Sequence, residues 1–329
     1  MDFSAFKFLL LCSLAFCSAP LFADDPTMYY LGERGVSAAD LPPSIKQQLF
    51  EAEMEKYLRM EQILDGAVLE QYLNKLAEQS KKPRSTIEAD LFTKIEVSDK
   101  EAETWYGENK AMLAGREFAT IKGEIIPYLK RMKQDKIKQD LLTKIKKEQK
   151  YRVALVKPEA PVLAINTAGF PHKGAANPKV TIVEFADYRC PHCKSASQVL
   201  KKVVEKFNDK VAFYFLDFPL HEGTASLVVA EGAVCAEEQQ KFWEYHYAAF
   251  AEQETLSDAS PLALANTLKL DTAKFTACMQ RPAAKERVAA GKQEGVRIGV
   301  GGTPAIYLNG KKTNGYTEQD LLKSIQALL

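Results

Sequence analysis

The chain has 329 residues, 46% of them hydrophobic and 26% charged, with a formal net charge of +1. That length accommodates two domains of ordinary size, and the composition is that of a globular protein with a real apolar core. The near-neutral balance excludes a bulk electrostatic case for nucleic acid or acidic lipid as partner.

In chain order, Lys7 precedes the apolar run FLLLCSLAFCSAPLF (Phe8–Phe22), which ends at Ala23 before Asp24 and Asp25. The run is short for a bilayer and a small residue stands before a polar start, so residues 1–23 read as a cleaved export signal. A lipoprotein anchor at Cys17 is the weaker alternative, because Phe16 is bulky where such sites want a small residue; a retained membrane anchor is another. Export places the mature chain where disulfides persist. Of six cysteines, Cys12 and Cys17 leave with the signal, and Cys190, Cys193, Cys235 and Cys278 remain. An even number in an exported protein fits disulfides, one local and one long-range.

From Leu41 to about Tyr151 the pattern is helical. Apolar residues from Ile45 through Leu49, Tyr57, Met60, Leu64, Val68 and Tyr72 to Leu76 recur mostly every three or four positions, one face of a long helix. Ser44 with Gln47, Ser85 with Glu88, and Ser98 with Glu101 read as capping boxes. Asp65-Gly66 is the expected break in the first helix, and Pro127 the expected start of the last. The final, lysine-rich helix reads as a solvated face, with a docking surface for acidic clients as the sharper alternative. VKPEAP (Val156–Pro161) reads as an extended connector, which divides the chain into a helical domain, 24–157, and a second domain, 158–329.

Beyond the connector, VLAI and KVTIVEFAD read as strands, the second buried on both faces. A helix from CKSASQVLKKVVEKF and a strand VAFYFLDF follow. A helical stretch of residues 221–298 comes next, then a strand at PAIYLNG, a turn at KKTNG and a closing helix opened by Thr317. The order is βαβ, a helical insertion, then ββα. Trp243, His246 and Tyr247 lie at helical spacing and read as packing residues. His221 follows Pro219 at a strand end and is given no role.

Two cysteines three positions apart in RCPHCK can bind metal, staple a loop or exchange electrons with other thiols. Cys190 stands after a buried strand and at the start of a helix, where backbone N–H groups and the helix dipole favour an anion. That lowers a thiol's pKa, and the thiolate is the nucleophile in disulfide exchange. Pro191 suits the first helical turn. His192 supplies positive charge or an N–H donor beside the Cys190 sulfur. Stabilising the thiolate makes the disulfide form the stronger oxidant. Cys193, one turn on, is the expected resolving thiol. Pro304, following two glycines and Thr303 at a strand start, is awkward there unless its peptide bond is cis. Such a loop leaves the Thr303 backbone to pair with an extended client peptide.

The strand EFADYRCPHC, the helical insertion with KFWEYH, and GVGGTPAIYLNG together resemble the thioredoxin-fold disulfide oxidoreductases of the DsbA family, over about half of the chain. The resemblance implies an α/β thioredoxin-like fold with a helical insertion, behind an all-α N-terminal domain. It implies Cys190 as nucleophile, Cys193 as resolving cysteine, Pro304 as the cis-proline and Glu184 as the buried acid that assists proton transfer. Glu184 as a plain edge-of-sheet carboxylate is the competing reading. In some relatives, positions similar to Cys235 and Cys278 form a structural disulfide; free buried thiols or a four-cysteine zinc site are the alternatives. No cofactor and no metal are expected. Thr303 before the proline also occurs in isomerase-type relatives, which is a departure from the best-known oxidase.

The helical half resembles, on LPPSIKQQLFEAEMEKYL, VSDKEAETWYGENK and the lysine-rich last helix leading into YRVALV as a short strand, the N-terminal region of SurA-like periplasmic chaperones. It carries no catalytic residues, and dimerisation arm, client-binding surface and spacer are its competing roles. The function expected is therefore that of a periplasmic oxidoreductase acting on exported client proteins that contain cysteines. A DsbB-like quinone reductase would reoxidise it, or a DsbD-like reductant would serve an isomerase, the latter as a homodimer. A chaperone whose thiols are secondary and a metal-delivery protein are the alternatives from other classes.

Overall fold

The computed structural model describes residues 27–113, 115–220 and 225–329; the expected export signal and His221 lie outside the described residues. The chain divides into two compact units. One is the described residues up to Gln48 together with Pro161–Leu329, and the other is Leu49–Ala160.

The first described element is an antiparallel hairpin, β1 (Thr27–Leu31) and β2 (Arg34–Ser37). The sequence reading passed over it, although Gly32 at φ +63° supplies the turn conformation that favours glycine. Helix α1 (Pro43–Ser80) follows, opened by a proline in its first turn, where the missing N–H costs nothing. Ser44 is therefore inside the helix rather than capping it. The expected break at Asp65-Gly66 does not occur. Buried Met54 and Leu73 lie on either side of the pair, and Asp65 meets Lys146 Nζ at 3.3 Å. Packing and this contact override the roughly 1 kcal/mol that a helical glycine costs.

Helix α2 (Arg84–Glu88) begins after Pro83, so Ser85 does not cap it either. The third box does form on α3 (Asp99–Asn109): Ser98 Oγ accepts from the Glu101 N–H, and the Glu101 carboxylate accepts from the Ser98 N–H at 2.9 Å. Helix α4 (Phe118–Glu148) starts well before Pro127 and carries that proline inside it. Ile121 and Ile125, ahead of the proline, join Ala102 in a buried cluster, so packing holds the helix across the position where a backbone hydrogen bond is lost. YRVALV forms no strand.

In the other unit, β3 (His172–Gly174), β4 (Val180–Ala186), α5 (Pro191–Lys206) and β5 (Val211–Asp217) lead into the insertion. The insertion comprises α6 (Ala225–Glu237), α7 (Phe242–Ala251), α8 (Ser260–Thr267), α9 (Thr272–Met279) and α10 (Pro282–Ile298), and β6 (Ala305–Leu308), β7 (Lys311–Lys312) and α11 (Glu318–Leu328) close the chain. The sheet order is β3-β5-β4-β6-β7, with β4 and β5 parallel and the other neighbours antiparallel. This is the expected α/β fold with a helical insertion, behind a helical region. The strand expected at 162–165 is absent: the Leu163 N–H makes a single backbone bond, to the Gly310 carbonyl at 2.9 Å, and side chains of α10 hold the backbone beside it. Glu294 Oε1 accepts from the Asn166 N–H at 2.6 Å, and Arg297 donates to the Ala164 carbonyl at 2.5 Å.

Strand alternation sorts the core into two faces. Val180, Ile182 and Ala186 of β4, Phe213 and Phe215 of β5, and Ile306 and Leu308 of β6 share one cluster with Cys193, Leu200 and Val203 of α5. Val183, Phe185, Leu216, Ala305 and Tyr307 form the other. On the second face Gly291 and Gly295 admit α10 closely: a Cβ on Gly291 would lie 2.8 Å from the Asp217 carbonyl oxygen. Helix α10 ends in a Schellman turn, with Gly299 at φ +85° and the Val300 N–H bonded to the Gly295 carbonyl at 2.8 Å. That turn sends the chain into the loop carrying Thr303. Among the described residues no helix is long and apolar enough to cross a membrane.

Candidate active site

Cys190 is the N-cap of α5 and Pro191 its first residue. Cys190 is partly exposed, whereas Cys193 is fully buried in the core beneath it. The Cys190 thiol donates to the Thr303 carbonyl oxygen at 3.3 Å, and the Thr303–Pro304 peptide is cis. The two cysteines, Thr303 and Pro304, separated by more than a hundred residues, therefore meet at the end of the β4–β6 pair. The Cys190 thiol is held down to about 5, first by the thiol of Cys193 donating to it. Its partial burial opposes this; the Thr303 side chain and the backbone N–H groups of Cys193 and His192 add to it. Burial pushes the Cys193 thiol strongly upward, and its bond to Cys190 adds to that. The two sulfurs are thus a partly exposed, readily ionised thiol and a buried thiol held protonated.

Glu184 is fully buried on β4, two residues before Ala186 and on the sheet face that carries α5. It stands between Phe215 of β5 and Ile306 of β6, and neither carboxylate oxygen has a hydrogen-bond partner among the described residues. Burial, with a smaller contribution from Cys190, raises it to about 8. An edge-of-sheet carboxylate does not describe it, since β4 is an inner strand. His192 contributes its backbone N–H to Cys190, while its ring turns elsewhere, with Nδ1 3.0 Å from the Tyr316 hydroxyl.

Five residues that the sequence reading passed over surround the redox turn. Asp187 accepts from the Arg189 N–H at 2.7 Å, from the Leu220 N–H at 2.8 Å, and from the Ser226 hydroxyl. Gln253 donates to the carbonyls of Tyr188 and Cys190 at 2.8 and 2.9 Å. Tyr188 and Ser197 bracket the ring of His246 at 3.2 and 3.0 Å, and burial pushes that imidazole down to about 3. Tyr316 is the fifth. The one local signal was its place just ahead of the Thr317 cap; Gln253 gave none, because its partners are backbone carbonyls 63 and 65 positions away.

Trp243 and Tyr247 do not reach the thiols but stack around Lys173 Nζ, at 4.6 and 4.8 Å from the ring centroids. Cys235 of α6 and Cys278 of α9 are bonded to each other at 2.06 Å. That bond removes the four-cysteine zinc set.

Residues 166–327 match the family model for thioredoxin. The chain is 30% identical over 144 residues to the Na(+)/H(+) antiporter NhaA 3 of Salinispora tropica, a match covering 44% of this chain and 22% of that protein. It is 28% identical over 165 residues to disulfide bond formation protein D of Bacillus subtilis, covering 47% of this chain and 74% of that one. The chain thus spans about a fifth of the antiporter's length and about three quarters of the Bacillus protein's. Among solved structures, the thiol-disulfide exchange protein alpha-DsbA2 of Wolbachia pipientis is 26% identical, with a TM-score of 0.45, over 49% of this chain and 88% of that one.

Proposed function

Starting from residues 166–327 as a thioredoxin-family domain of the disulfide-oxidoreductase type, we propose that this chain is an exported, periplasmic protein that forms disulfides in other exported proteins through Cys190 and Cys193. The observation that carries this reading is the asymmetry of the pair, an accessible low-pKa sulfur backed by a buried high-pKa one.

A client thiolate attacks Cys190 Sγ of the Cys190–Cys193 disulfide. The S–S bond breaks, a mixed disulfide forms, and Cys193 departs with the electron pair. Because its thiolate is strongly disfavoured in the core, Cys193 needs a proton, and Glu184, protonated up to about pH 8, is the buried acid that donates it. A second client thiol then attacks the client sulfur of the mixed disulfide. Cys190 leaves readily as a thiolate, since leaving ability rises as the thiol pKa falls. The client loses two electrons and the pair gains them. While the mixed disulfide lasts, the Thr303 carbonyl accepts a backbone N–H from the extended client, beside Pro304.

A depressed Cys190 pKa stabilises the reduced pair and so favours oxidation of clients over isomerisation. A quinone-linked membrane reductase of the DsbB type is the partner such a direction requires. The Leu49–Ala160 unit exposes Leu58, Ile63 and Met132, apolar surface suited to holding unfolded clients while exchange proceeds.

The test is oxidation of a reduced two-cysteine client, alongside rescue of a scrambled one, by the wild type and by C190S. Oxidation should be lost in C190S. Retained oxidation removes the reading, and efficient unscrambling with no net oxidation converts it to the isomerase alternative.

A further inference from the structure

Gln253 opens the single helical turn Gln253–Thr255 that follows α7, and it is buried. Its amide nitrogen donates to two backbone carbonyls of the redox turn, those of Tyr188 at 2.8 Å and Cys190 at 2.9 Å. Among the described residues no backbone N–H reaches the Tyr188 carbonyl, and a buried carbonyl left without a donor is costly. The same turn is pinned from its other side. The Cys190 N–H bonds to the Asp187 carbonyl at 3.0 Å, and the Arg189 N–H to the Asp187 carboxylate at 2.7 Å. Helix α7 adds a grip on side chains, with the His246 ring between the Tyr188 and Ser197 hydroxyls.

These bonds bear on the conformation of Cys190 itself. As N-cap of α5 it stands at φ −77° and ψ 117°, outside the helical region. From there the Cys193 thiol, and with it the backbone N–H groups of Cys193 and His192, act on its sulfur in favour of the thiolate. Rotation about the Cys190 ψ swings its carbonyl together with the peptide plane that leads into Pro191. A donor held on that carbonyl therefore keeps the sulfur and the helix N-terminus in register. We propose that Gln253 is a positioning residue for thiol–disulfide exchange: its two donated hydrogen bonds hold Cys190 in the cap geometry that stabilises the thiolate, and so favour the reduced pair over the disulfide. In the disulfide Cys190 carries no charge, so a looser cap weakens the reduced state selectively. The inference rests on the reading of Cys190 and Cys193 as an exchange pair, and it gives the helical insertion, 63 positions along the chain, a share in setting their equilibrium.

The experiment uses the full chain and the near-isosteric variant Q253M, which removes both donated bonds at nearly constant side-chain volume. Two readings are taken: the pH midpoint of Cys190 alkylation in the reduced protein, and the reduced-to-oxidised ratio at pH 7 against glutathione and its disulfide. Q253M should raise the midpoint by about 0.5–1 unit and move the ratio about 3- to 10-fold towards the disulfide, the range of one ordinary hydrogen bond. The two shifts should agree, because one pKa unit and a tenfold change in equilibrium are the same free energy. G291A, which disturbs the other face of the sheet, controls for a mere loss of stability and should move neither reading. A Q253M that loses stability but keeps the wild-type midpoint and ratio marks Gln253 as a packing residue and overturns the proposal. Should Q253M not fold, Q253N, whose amide is one methylene shorter, takes its place: a raised midpoint supports the proposal and an unchanged one overturns it. If the wild-type pair fails to equilibrate with glutathione at all, the exchange reading itself falls, an outcome distinct from an unresponsive Q253M in an active protein.

Discussion

The Thr303 carbonyl oxygen lies 3.3 Å from the Cys190 sulfur and accepts its S–H. That bond exists only while the thiol is protonated. Once Cys190 ionises or enters a mixed disulfide, the carbonyl loses its donor and is free for the backbone N–H of a bound strand. On the proposed exchange reading, nucleophile and peptide acceptor therefore become available together.

The first expectation concerns the titration of Cys190. Alkylation of the reduced protein by iodoacetamide, followed against pH, should show a midpoint near 5, since Cys193 is buried and protonated. The Cys190 value is lowered from its ordinary 9.0. The stability it lends the reduced fold is therefore complete above about pH 9, declines as pH falls, and is gone below about pH 5. A midpoint at 8 or above would remove the basis for a strong oxidant.

Glu184 carries the opposite sign. Its value is raised to about 8 from 4.5, so keeping the site costs nothing below about pH 4.5, and the cost grows as pH rises, reaching its full size above about pH 8. E184Q should stabilise the fold by up to about 3 kcal/mol at pH 7 and leave it unchanged at pH 4. The same variant should slow exchange by removing the proposed proton donor for Cys193. Denaturant unfolding at both pH values, with stopped-flow exchange, reads both effects; a gain over wild type no larger at pH 7 than at pH 4 contradicts the assignment.

The Cys235–Cys278 bond closes a loop across 43 positions. C235A/C278A should lose about 2–4 kcal/mol of unfolding free energy through the freer unfolded chain. Thiol exchange at Cys190 should continue at the wild-type rate at temperatures where the variant stays folded, because neither sulfur belongs to the redox turn.

G291A probes the seating of α10. The added Cβ meets the Asp217 backbone oxygen at 2.8 Å and its nitrogen at 3.2 Å, atoms that cannot swing aside as a side-chain tip can. A loss of about 1–3 kcal/mol is expected, whereas G301A, whose Cβ would meet nothing within 4 Å, should stay near wild type. Thermal unfolding of the two variants compares them directly.

Much of the exchange site was legible locally. A β-branched run followed by Cys-Pro-His-Cys states a strand, a cap and a helix within a dozen residues, and the physics of a thiol at a helix N-terminus is short-range. Punctuation within long helices was read less well. Asp65-Gly66 and Pro127 looked like breaks, but each is flanked by buried apolar residues, and tertiary packing overrides the local penalty. The strand at 162–165 does not form: the Leu163 N–H reaches the Gly310 carbonyl, Arg297 of α10 takes the Ala164 carbonyl, and Glu294 takes the Asn166 N–H just beyond.

The sequence by itself determined the chemistry available: which four cysteines lie beyond the expected export signal, which of them caps a helix, and where a proline interrupts a strand start. Only the tertiary structure decided how that chemistry is poised. Burial between Phe215 and Ile306 raises Glu184, and the fold brings the Thr303 carbonyl to Cys190, Gln253 to the redox turn and Tyr316 to His192. Desolvation and hydrogen-bond partnership are set by what lies within a few ångströms, and for these groups the neighbours come from distant stretches of chain that no local pattern records.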